Sequence, residues 1–309
     1  MNSRRAMLTA EDAKKFSEKM RAIDWVNDKK ARVAFATTIV DELREDQMMD
    51  DIVSTLGVDV RTYQEGQSLE FTTHGRTLKA YVHEPGSFAP RSRIVNKSVT
   101  LTAELVSVNT EMEIGELRSG RYGTVEDIRR QALETLQGRK YGIVWSTLIG
   151  SVASTDANYW SVATAASAAA KKAALDSGLE YVLDQQGSTA VAIVGRRNAL
   201  GFLGDYSAYN TYGPSEAKKS ELDTRPYPAS YKGIPVVYLN QYKDGWAGNI
   251  ITESNIMIVG SDTIKMGVER GLDFAEDFDS NTLVWNIHFY EKYGVAVFRP
   301  TRNAKIVLT

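Results

Sequence analysis

The chain has 309 residues, a formal net charge of -2 and no cysteine. A chain of this length can bury a large core and ordinarily divides into about two compact units of roughly 100 to 200 residues. The small net charge gives no long-range attraction to nucleic acid or to an anionic membrane surface, and the absence of cysteine excludes disulfides, thiol catalysis and thiolate metal sites. No run of about 18 apolar residues occurs, and the N-terminus lacks the apolar core of a signal peptide. We therefore expect synthesis and folding in the cytoplasm, with no membrane contact.

The first 57 residues predict two helices with charged outer faces. Thr9, with Asp12 three residues later, predicts the cap of a helix that extends to about Ile23. From Asp28 a second helical pattern places one set of apolar side chains on one side: Val33, Ala36, Ile39, Val40 and Leu43.

Residues 58–97 predict a β-hairpin. Leu69, Phe71 and Thr73 alternate with polar residues, His74-Gly75 supplies a turn signal, and the segment Thr77–Val82 is expected to return. A loop with two prolines follows. The apolar content of this region is too low for a core of its own, so the hairpin must lean on something else.

A strand at Ser98–Val106 precedes the clearest helix of the chain. Thr124 and Asp127 predict a variant capping box, and one apolar series then keeps helical spacing: Ile128, Leu133, Leu136, Val144, Trp145 and Leu148. A helix that extends to about Ile149 would be roughly 37 Å long. Gly138 and Gly142 lie inside it on one face. Each costs about 1 kcal/mol against alanine, so either another backbone approaches closely there or the helix bends.

The middle of the chain predicts a separate α/β unit. An alanine-rich helical stretch from Tyr159 to Leu183 is followed by three apolar strands, at residues 189–194, 233–240 and 255–261, and residues 196–200 open a short helix. Residues 205–233 form a long segment rich in Tyr, Pro and Ser without periodicity. A loop of that length is usually functional or contact-forming.

The chain ends on two apolar strands, residues 294–298 and 304–308, joined by the basic corner Arg299-Pro300-Thr301-Arg302-Asn303. The proline lies between the strands, where it removes no hydrogen-bond donor from either of them. A terminus frays unless a sheet holds it, so we expect this ending to be an integral part of the fold. Just upstream, the acidic stretch LDFAEDFD at residues 272–279 predicts a solvated turn between strands.

Motifs for catalysis or cofactor binding are missing from the sequence. None of the three histidines has a carboxylate or a second histidine at ligand spacing, and no glycine-rich nucleotide motif or serine-nucleophile motif occurs. The turn Gly195–Gly201 follows a strand but lacks the glycine spacing of a phosphate-binding loop. We therefore expect no cofactor, no metal and no catalytic residue.

The closing elements, in their order, resemble the major capsid proteins of tailed bacteriophages, the Hong Kong 97-type shell fold, an α+β architecture. The segments GIPVV, TIKMGVERGLDF, TLVWNIHFYEKYGVAVF and RPTRNAKIVL follow one another in the family's order at residues 233–237, 263–274, 282–298 and 299–308. Element order and element lengths agree over most of the chain, and agree least over the first 57 residues.

The resemblance implies a role for each block. The implied domains are an N-terminal arm (1–57), an extended loop laid over a neighbouring subunit (58–97), a peripheral domain with a long spine helix (98–150 and 262–299) and an axial domain (151–261 and 300–309). It further implies a capsid protein that assembles with itself into hexamers and pentamers of an icosahedral shell. That shell would enclose double-stranded DNA without sequence specificity and would form in the host cytoplasm. Portal and scaffolding proteins would be its partners.

Two other interpretations stay open. A bacterial encapsulin has the same fold and forms a compartment shell that packages no genome. An α/β enzyme could use the middle unit, with Asp205 and the Tyr-rich segment as its site, although no convergent set of acid, base and nucleophile accompanies them.

Opposite charges predict a contact between subunits. The extended loop is basic, with Arg76, Lys79, Arg91 and Arg93. The stretch after Gly271 is acidic, with Asp273, Glu276, Asp277 and Asp279. If the loop covers a neighbour's peripheral domain, as the resemblance implies, the two clusters can meet; the alternative is two solvated clusters that never do. We add Gly138 and Gly142 as interface candidates, and we expect residues 1–97 to become ordered only in the assembly.

Overall fold

The computed structural model describes residues 24–49, 52–74, 96–119, 122–185, 187–205, 227–239 and 254–309. The strands are β1 Asp59–Thr62, β2 Leu69–His74, β3 Asn96–Leu101, β4 Glu104–Glu113, β5 Tyr159–Val162, β6 Ala190–Arg196, β7 Ser230–Tyr231, β8 Ile234–Leu239, β9 Asn255–Gly260, β10 Ile264–Asp279, β11 Val284–Val297 and β12 Ala304–Leu308. The helices are α1 Lys29–Met49, α2 Ile52–Thr55, α3 Ile114–Ser119, α4 Tyr122–Gly150, α5 Ala168–Asp184 and α6 Arg197–Leu200. Short 3₁₀ turns occupy Gly201–Gly204 and Pro300–Arg302.

A four-stranded sheet in the order β1-β10-β11-β4 forms one half of the structure. Its centre is the antiparallel pair of β10 and β11, which are 16 and 14 residues long. Alternate residues of β11, Trp285, Ile287 and Phe289, are fully buried against the helices on one face of this sheet. This is the period-2 pattern of a sheet with one covered face.

Helix α1 covers part of that face. The predicted apolar residues Ala36, Ile39, Val40 and Leu43 are buried, which confirms the helix. Just before it, Trp25 is fully buried with its ring 5.6 Å from that of Trp285. Residues 29–43 therefore bury apolar side chains against their own chain, contrary to the premise that this segment cannot do so. Whether residues 1–97 become ordered only in the assembly stays a prediction. The predicted helix from Thr9 to Ile23 lies outside the described residues.

Helix α4 is the predicted long helix. It has 29 residues, which makes it roughly 43 Å long. It begins at Tyr122, so Thr124 lies within it and cannot be its cap. The first half packs on the four-stranded sheet, whereas Val144, Trp145 and Leu148 pack on the second sheet. The helix thus spans both halves of the molecule.

The second sheet has six strands in the order β5-β12-β9-β6-β8-β7. The strands predicted at residues 189–194, 233–240 and 255–261 are confirmed as β6, β8 and β9. Helix α5 covers one face and the end of α4 the other. Residues 159–162 are strand β5 rather than the start of a helix, because they pair in parallel with β12. Helix α5 begins at Ala168, where Ser167 Oγ accepts a hydrogen bond from Ala170 N at 3.2 Å.

The first strand of the predicted hairpin pairs with a strand that the sequence did not indicate as its partner. Strand β2 pairs antiparallel with β3, in a register that sets His74 opposite Asn96. The strand predicted at Ser98–Val106 is divided in two, because β3 pairs with β2 while β4 pairs with β11. The segment expected to return, Thr77–Val82, lies outside the described residues.

The basic corner near the C-terminus joins the two sheets. Strand β11 belongs to the four-stranded sheet and β12 to the interior of the six-stranded one, between β5 and β9. Asn158 Nδ2 donates to Pro300 O at 3.0 Å and to Asn303 O at 2.7 Å, and Asn303 Oδ1 accepts from Gly260 N at 3.1 Å. These bonds fix the corner against the end of β9. The apolar ending is therefore part of the core, as expected.

Ion pairs surround two short crossings between the four-stranded and six-stranded sheets, residues 261–263 and 298–303. Asp262, in the first crossing, accepts from Lys265 and lies 2.8 Å from Arg299 in the second. Lys265 Nζ also donates to Asp59 Oδ2 at 2.9 Å, and this hydrogen bond holds the pKa of Asp59 below its ordinary value. The network links both crossings to the edge strand β1.

Gly260 allows the crossings to approach each other. A Cβ at this position would lie 2.1 Å from Arg302 O, so the backbone would have to shift. We expect Gly260→Ala to lower the free energy of unfolding by about 2 kcal/mol or more, as overpacking of a rigid site does. Urea denaturation of the purified subunit measures this.

The matched control is Gly271→Ala in β10, where an added Cβ meets nothing within 4 Å. We expect this variant to be unchanged or slightly more stable, by about 0.5 kcal/mol, because alanine restricts the unfolded chain. Equal losses for the two variants would contradict the assigned role of Gly260.

Candidate assembly surface

The pair β2–β3, which we call the loop base, is anchored on its own subunit. Leu69, Phe71 and Leu101 are buried, and the Phe71 ring lies 5.6 Å from that of Phe298. Gly267 leaves room for Leu69, since a Cβ there would lie 2.8 Å from Leu69 Cδ2. The hairpin therefore leans on the end of the four-stranded sheet near the crossings.

The acidic stretch 272–279 is a strand and not a turn, which corrects the sequence prediction. It continues β10 to Asp279 in unbroken register with β11 from Asp273 onwards. Leu272, Phe274 and Phe278 lie toward the helix-covered core and alternate with acidic residues. The sequence LDFAEDFD alternates apolar and acidic residues with the period of two that is typical of a strand. The many carboxylates led to the prediction of a solvated turn instead.

Glu276 occupies a core-facing position of that strand. Its side chain is 7% exposed, and its Oε2 accepts from Arg32 Nε at 3.2 Å and from Trp285 Nε1 at 2.7 Å. Arg32 in turn donates to Trp25 O at 2.7 Å. Glu276 therefore forms an internal contact between α1 and the sheet, and its prediction as a member of the acidic surface cluster is wrong.

The remaining acidic candidates lie on the opposite side of the sheet, which we call the polar face. Strand register adds two acids that the sequence prediction missed: Asp277 aligns with Asn286 and Glu111, and Asp279 with Val284 and Glu113. Asp277, Glu111 and Glu113 are exposed. These acids come from strands about 165 residues apart in the chain and adjoin only through pairing with β11.

Two members of the polar face also have local hydrogen bonds. Asp279 accepts from Asn281 N and from Thr282 Oγ1, both at 2.8 Å, and holds the turn between β10 and β11. The Asn281 bond, reinforced by Thr282, keeps the pKa of Asp279 below its ordinary value, so the carboxylate stays charged. Asp273 Oδ2 accepts from Tyr290 OH at 3.3 Å.

The other predicted interface residues divide into two groups. Gly138 and Gly142 are buried in α4 by this chain's own elements, so any contact with a neighbour would have to act through the residues that cover them. The basic candidates Arg76, Lys79, Arg91 and Arg93 lie outside the described residues. The loop base shows where their segment leaves and re-enters the sheet: at His74 and Asn96.

Comparison with solved structures identifies the architecture. The chain matches the capsid of cyanophage P-SCSP1u with a TM-score of 0.61 and 13% identity, over 84% of this chain and 88% of that one. A structure from Gordonia phage Cozz gives a TM-score of 0.62 and 14% identity, over 84% and 86%. The chain has the Hong Kong 97-type shell fold.

A virus-like particle from Pyrococcus furiosus matches this Hong Kong 97-type chain with a TM-score of 0.55 and 15% identity, over 88% of this chain and 98% of that one. No family model and no curated protein sequence matches. The predicted α+β fold class is confirmed, and the likeness is one of structure without close sequence similarity.

Within the described ranges, no cluster of three or more His, Asp or Glu side chains could hold a metal ion. No helix in the same ranges is long and apolar enough to cross a membrane. Asp205 follows the 3₁₀ turn at Gly201–Gly204, and most of the Tyr-rich segment beyond it lies outside the described residues.

The internal role of Glu276 gives a direct test. We expect Glu276→Ala to lower the free energy of unfolding by about 3 kcal/mol, because it leaves the buried Arg32 guanidinium and the Trp285 N–H without this acceptor. Asp277→Ala is the matched control, one residue along the strand and exposed, and should change stability by less than about 0.5 kcal/mol. Urea denaturation of both variants decides between an internal and a surface role for Glu276.

Proposed function

We propose that this chain is the major capsid protein of a tailed bacteriophage, which assembles with itself into the icosahedral shell around the double-stranded DNA genome. The observation that carries the proposal is the shell fold, matched over most of the chain to a phage capsid structure of nearly the same extent. The domain boundaries given above belong to this proposal. So do the arrangement in hexamers and pentamers, the portal and scaffolding partners, and assembly in the host cytoplasm.

The distribution of polar and apolar surface supports a structural role. The helices and one face of the four-stranded sheet form a continuous core, while the opposite face is polar and open in the single chain. Strand β4, ten residues long, is an edge of that sheet among the described strands. A long open edge in a monomer favours self-association, and a shell subunit uses such surfaces for contacts.

A second candidate is a compartment shell of the encapsulin type. The likeness to the Pyrococcus furiosus virus-like particle favours it. The two functions differ in the content of the particle, since a capsid holds a DNA genome and a compartment shell holds protein cargo. An α/β enzyme based on Asp205 has no comparable support, because no convergent catalytic set accompanies that residue in the described residues.

Assembly of the purified chain tests the proposal. We expect negative-stain microscopy and size-exclusion chromatography to show closed particles of tens of nanometres, either for the chain alone or after co-expression with a scaffolding and a portal protein. Particles from infected or induced cells should contain nuclease-protected double-stranded DNA. Particles that hold protein cargo and no nucleic acid would favour the compartment shell. A monomer that shows enzymatic turnover under all these conditions would overturn both.

We further propose that the basic extended loop of one subunit contacts the polar face of a neighbour. Residues 58–97 carry six basic residues and four acidic ones, and the basic candidates are Arg76, Lys79, Arg91 and Arg93. The polar face presents Asp277 and Glu111 at aligned positions on either side of β11. Exposed ion pairs contribute only about 0 to 1 kcal/mol each. Every copy in a shell repeats these pairs, however. Whether opposite or like charges face each other between subunits therefore affects how the subunits align during assembly.

Charge reversal tests this contact. We expect Arg91→Glu with Arg93→Glu to reduce the yield of particles, most strongly at low salt, where screening is weakest. Adding Asp277→Lys and Glu111→Lys should restore part of the yield, because the opposite charges then face each other again. Asp279 is unsuitable for the second pair, since its carboxylate also holds the β10–β11 turn.

The control combines Arg91→Glu and Arg93→Glu with Glu65→Lys. Glu65 is exposed, and its carboxylate already forms an ion pair with Arg270 of its own chain at 2.9 Å. This change should give no rescue. Normal assembly of the loop reversal at low salt, or equal rescue by the control, would show that the two clusters do not meet.

A further inference from the structure

A buried ionisable pair lies between helix α4 and the four-stranded sheet. Glu291, on the core-facing side of β11, is 3% exposed. Its Oε2 is 3.3 Å from Lys140 Nζ on α4, whereas its Oε1 has no hydrogen-bond partner among the described residues. Its neighbours along the same face, Phe289 and Tyr293, are also buried. A carboxylate in this layer loses its hydrogen bonds to water, and the protein replaces only part of them.

Other polar groups in the same layer are incompletely paired. The Tyr293 hydroxyl and the Gln137 Nε2 are buried, and neither has a hydrogen-bond partner within the described part of the chain. Lys140 Nζ lies 5.6 Å from the centre of the Tyr293 ring. A buried polar atom without a hydrogen-bond partner destabilises the folded state, so this contact is not the most stable way to join the helix to the sheet. Apolar side chains of similar volume would hold the helix more tightly.

The two charges of the pair differ in their access to water. The Lys140 side chain is 18% exposed and that of Glu291 is 5% exposed. Burial raises the pKa of the Glu291 carboxyl above its ordinary value, although the Lys140 charge acts in the other direction. The pKa of the Tyr293 hydroxyl is raised, mainly by burial and by the Glu291 charge. Two other charged groups nearby have smaller effects on it: Arg139 on α4 lowers this pKa and Glu104 on β4 raises it. Burial thus disfavours the charged form of the Glu291 carboxyl group.

We propose that Glu291 and Lys140 form a proton-sensitive contact that sets how tightly helix α4 packs on the four-stranded sheet. When Glu291 takes up a proton from solvent, its neutral carboxyl group fits the apolar layer, and the Lys140 ammonium turns to the water it already reaches. The helix then packs more firmly. The inference concerns the single subunit, goes beyond the proposed function and does not depend on assembly.

The direction of the pH effect follows from the direction of the shift. A carboxyl group whose pKa is higher in the folded than in the unfolded state contributes least to stability above its folded pKa. Its contribution grows as the pH falls through that value and is complete below the unfolded value of about 4.3. Glu269, on the adjoining strand β10, gives the opposite case. Hydrogen bonds from Lys292 and from Gly66 N lower its pKa, so its contribution is lost as the pH falls through the folded value.

The experiment compares urea unfolding of the wild-type subunit with Glu291→Gln and Glu269→Gln between pH 8 and pH 4. The quantity of interest is the ratio of the unfolding constants of each variant and the wild type, which removes the titration of all other groups. For Glu291→Gln, which is neutral at every pH, the wild type should gain on the variant as the pH falls, by at least about threefold. For Glu269→Gln the ratio should move the other way.

A second variant keeps the test decisive if Glu291→Gln folds poorly. Lys140→Met removes the counter-charge, so the pH dependence of stability should become steeper than in the wild type and begin at higher pH. The protection factors of the α4 amides, in which the pH dependence of intrinsic amide exchange is divided out, should rise on acidification in the wild type and change less in Glu291→Gln. A pH-independent ratio for Glu291→Gln, a slope of the same sign for Glu269→Gln, or an unchanged profile for Lys140→Met would each overturn the proposal.

Discussion

Besides helix α4, two short crossings, residues 261–263 and 298–303, carry the chain between the four-stranded and six-stranded sheets, and their tight packing against each other is the constraint on which the rest of the structure depends. The first crossing leaves β9 at Gly260, and the second returns to β12 at Asn303. The hydrogen bond from Gly260 N to Asn303 Oδ1, at 3.1 Å, and the absence of a side chain at Gly260 hold them together. Because β10 and β11 start and end at this junction, its geometry fixes where the long strand pair projects. The Lys305 ammonium adds a link to the long helix, since its Nζ donates to Ile149 O at 3.0 Å beside the C-terminus of α4.

The projecting strand pair has two chemically different faces. The core-facing side carries the helices and includes two buried carboxylates, Glu276 and Glu291, which meet cations from α1 and α4. They differ in their pairing: Glu276 accepts from Arg32 and Trp285, whereas Glu291 keeps one oxygen without a partner in the described residues. A buried glutamate therefore holds α1 firmly at one end of the sheet through Glu276. The incompletely paired Glu291 holds α4 less firmly further along the sheet. The polar face carries none of this packing and remains open for contacts with other chains.

The first described residues and the loop base are both fixed to the core of this chain. Trp25 and α1 complete the core of their own subunit, so the chain before residue 24 leaves from a fixed point near Trp285. The loop base is fixed in the same way beside Phe298.

The sequence by itself determined most of the elements and their order. Apolar runs identified β6, β8 and β9, helical spacing identified α1 and α4, and the ending pointed to a known shell fold, because these signals depend on residues close together in the chain. Other features depend on residues far apart. Glu276 has the sequence pattern of a surface acid, but the packing of α1 on the sheet pairs it with the buried Arg32. Glu111 lies on the same face as Asp277 only because both strands pair with β11. The partner of β2 and the strand at Tyr159–Val162 were likewise decided by pairing with distant strands. Local propensity shows that a segment is extended, but its neighbour in the sheet, and therefore which of its charges are buried, is decided by the tertiary structure alone.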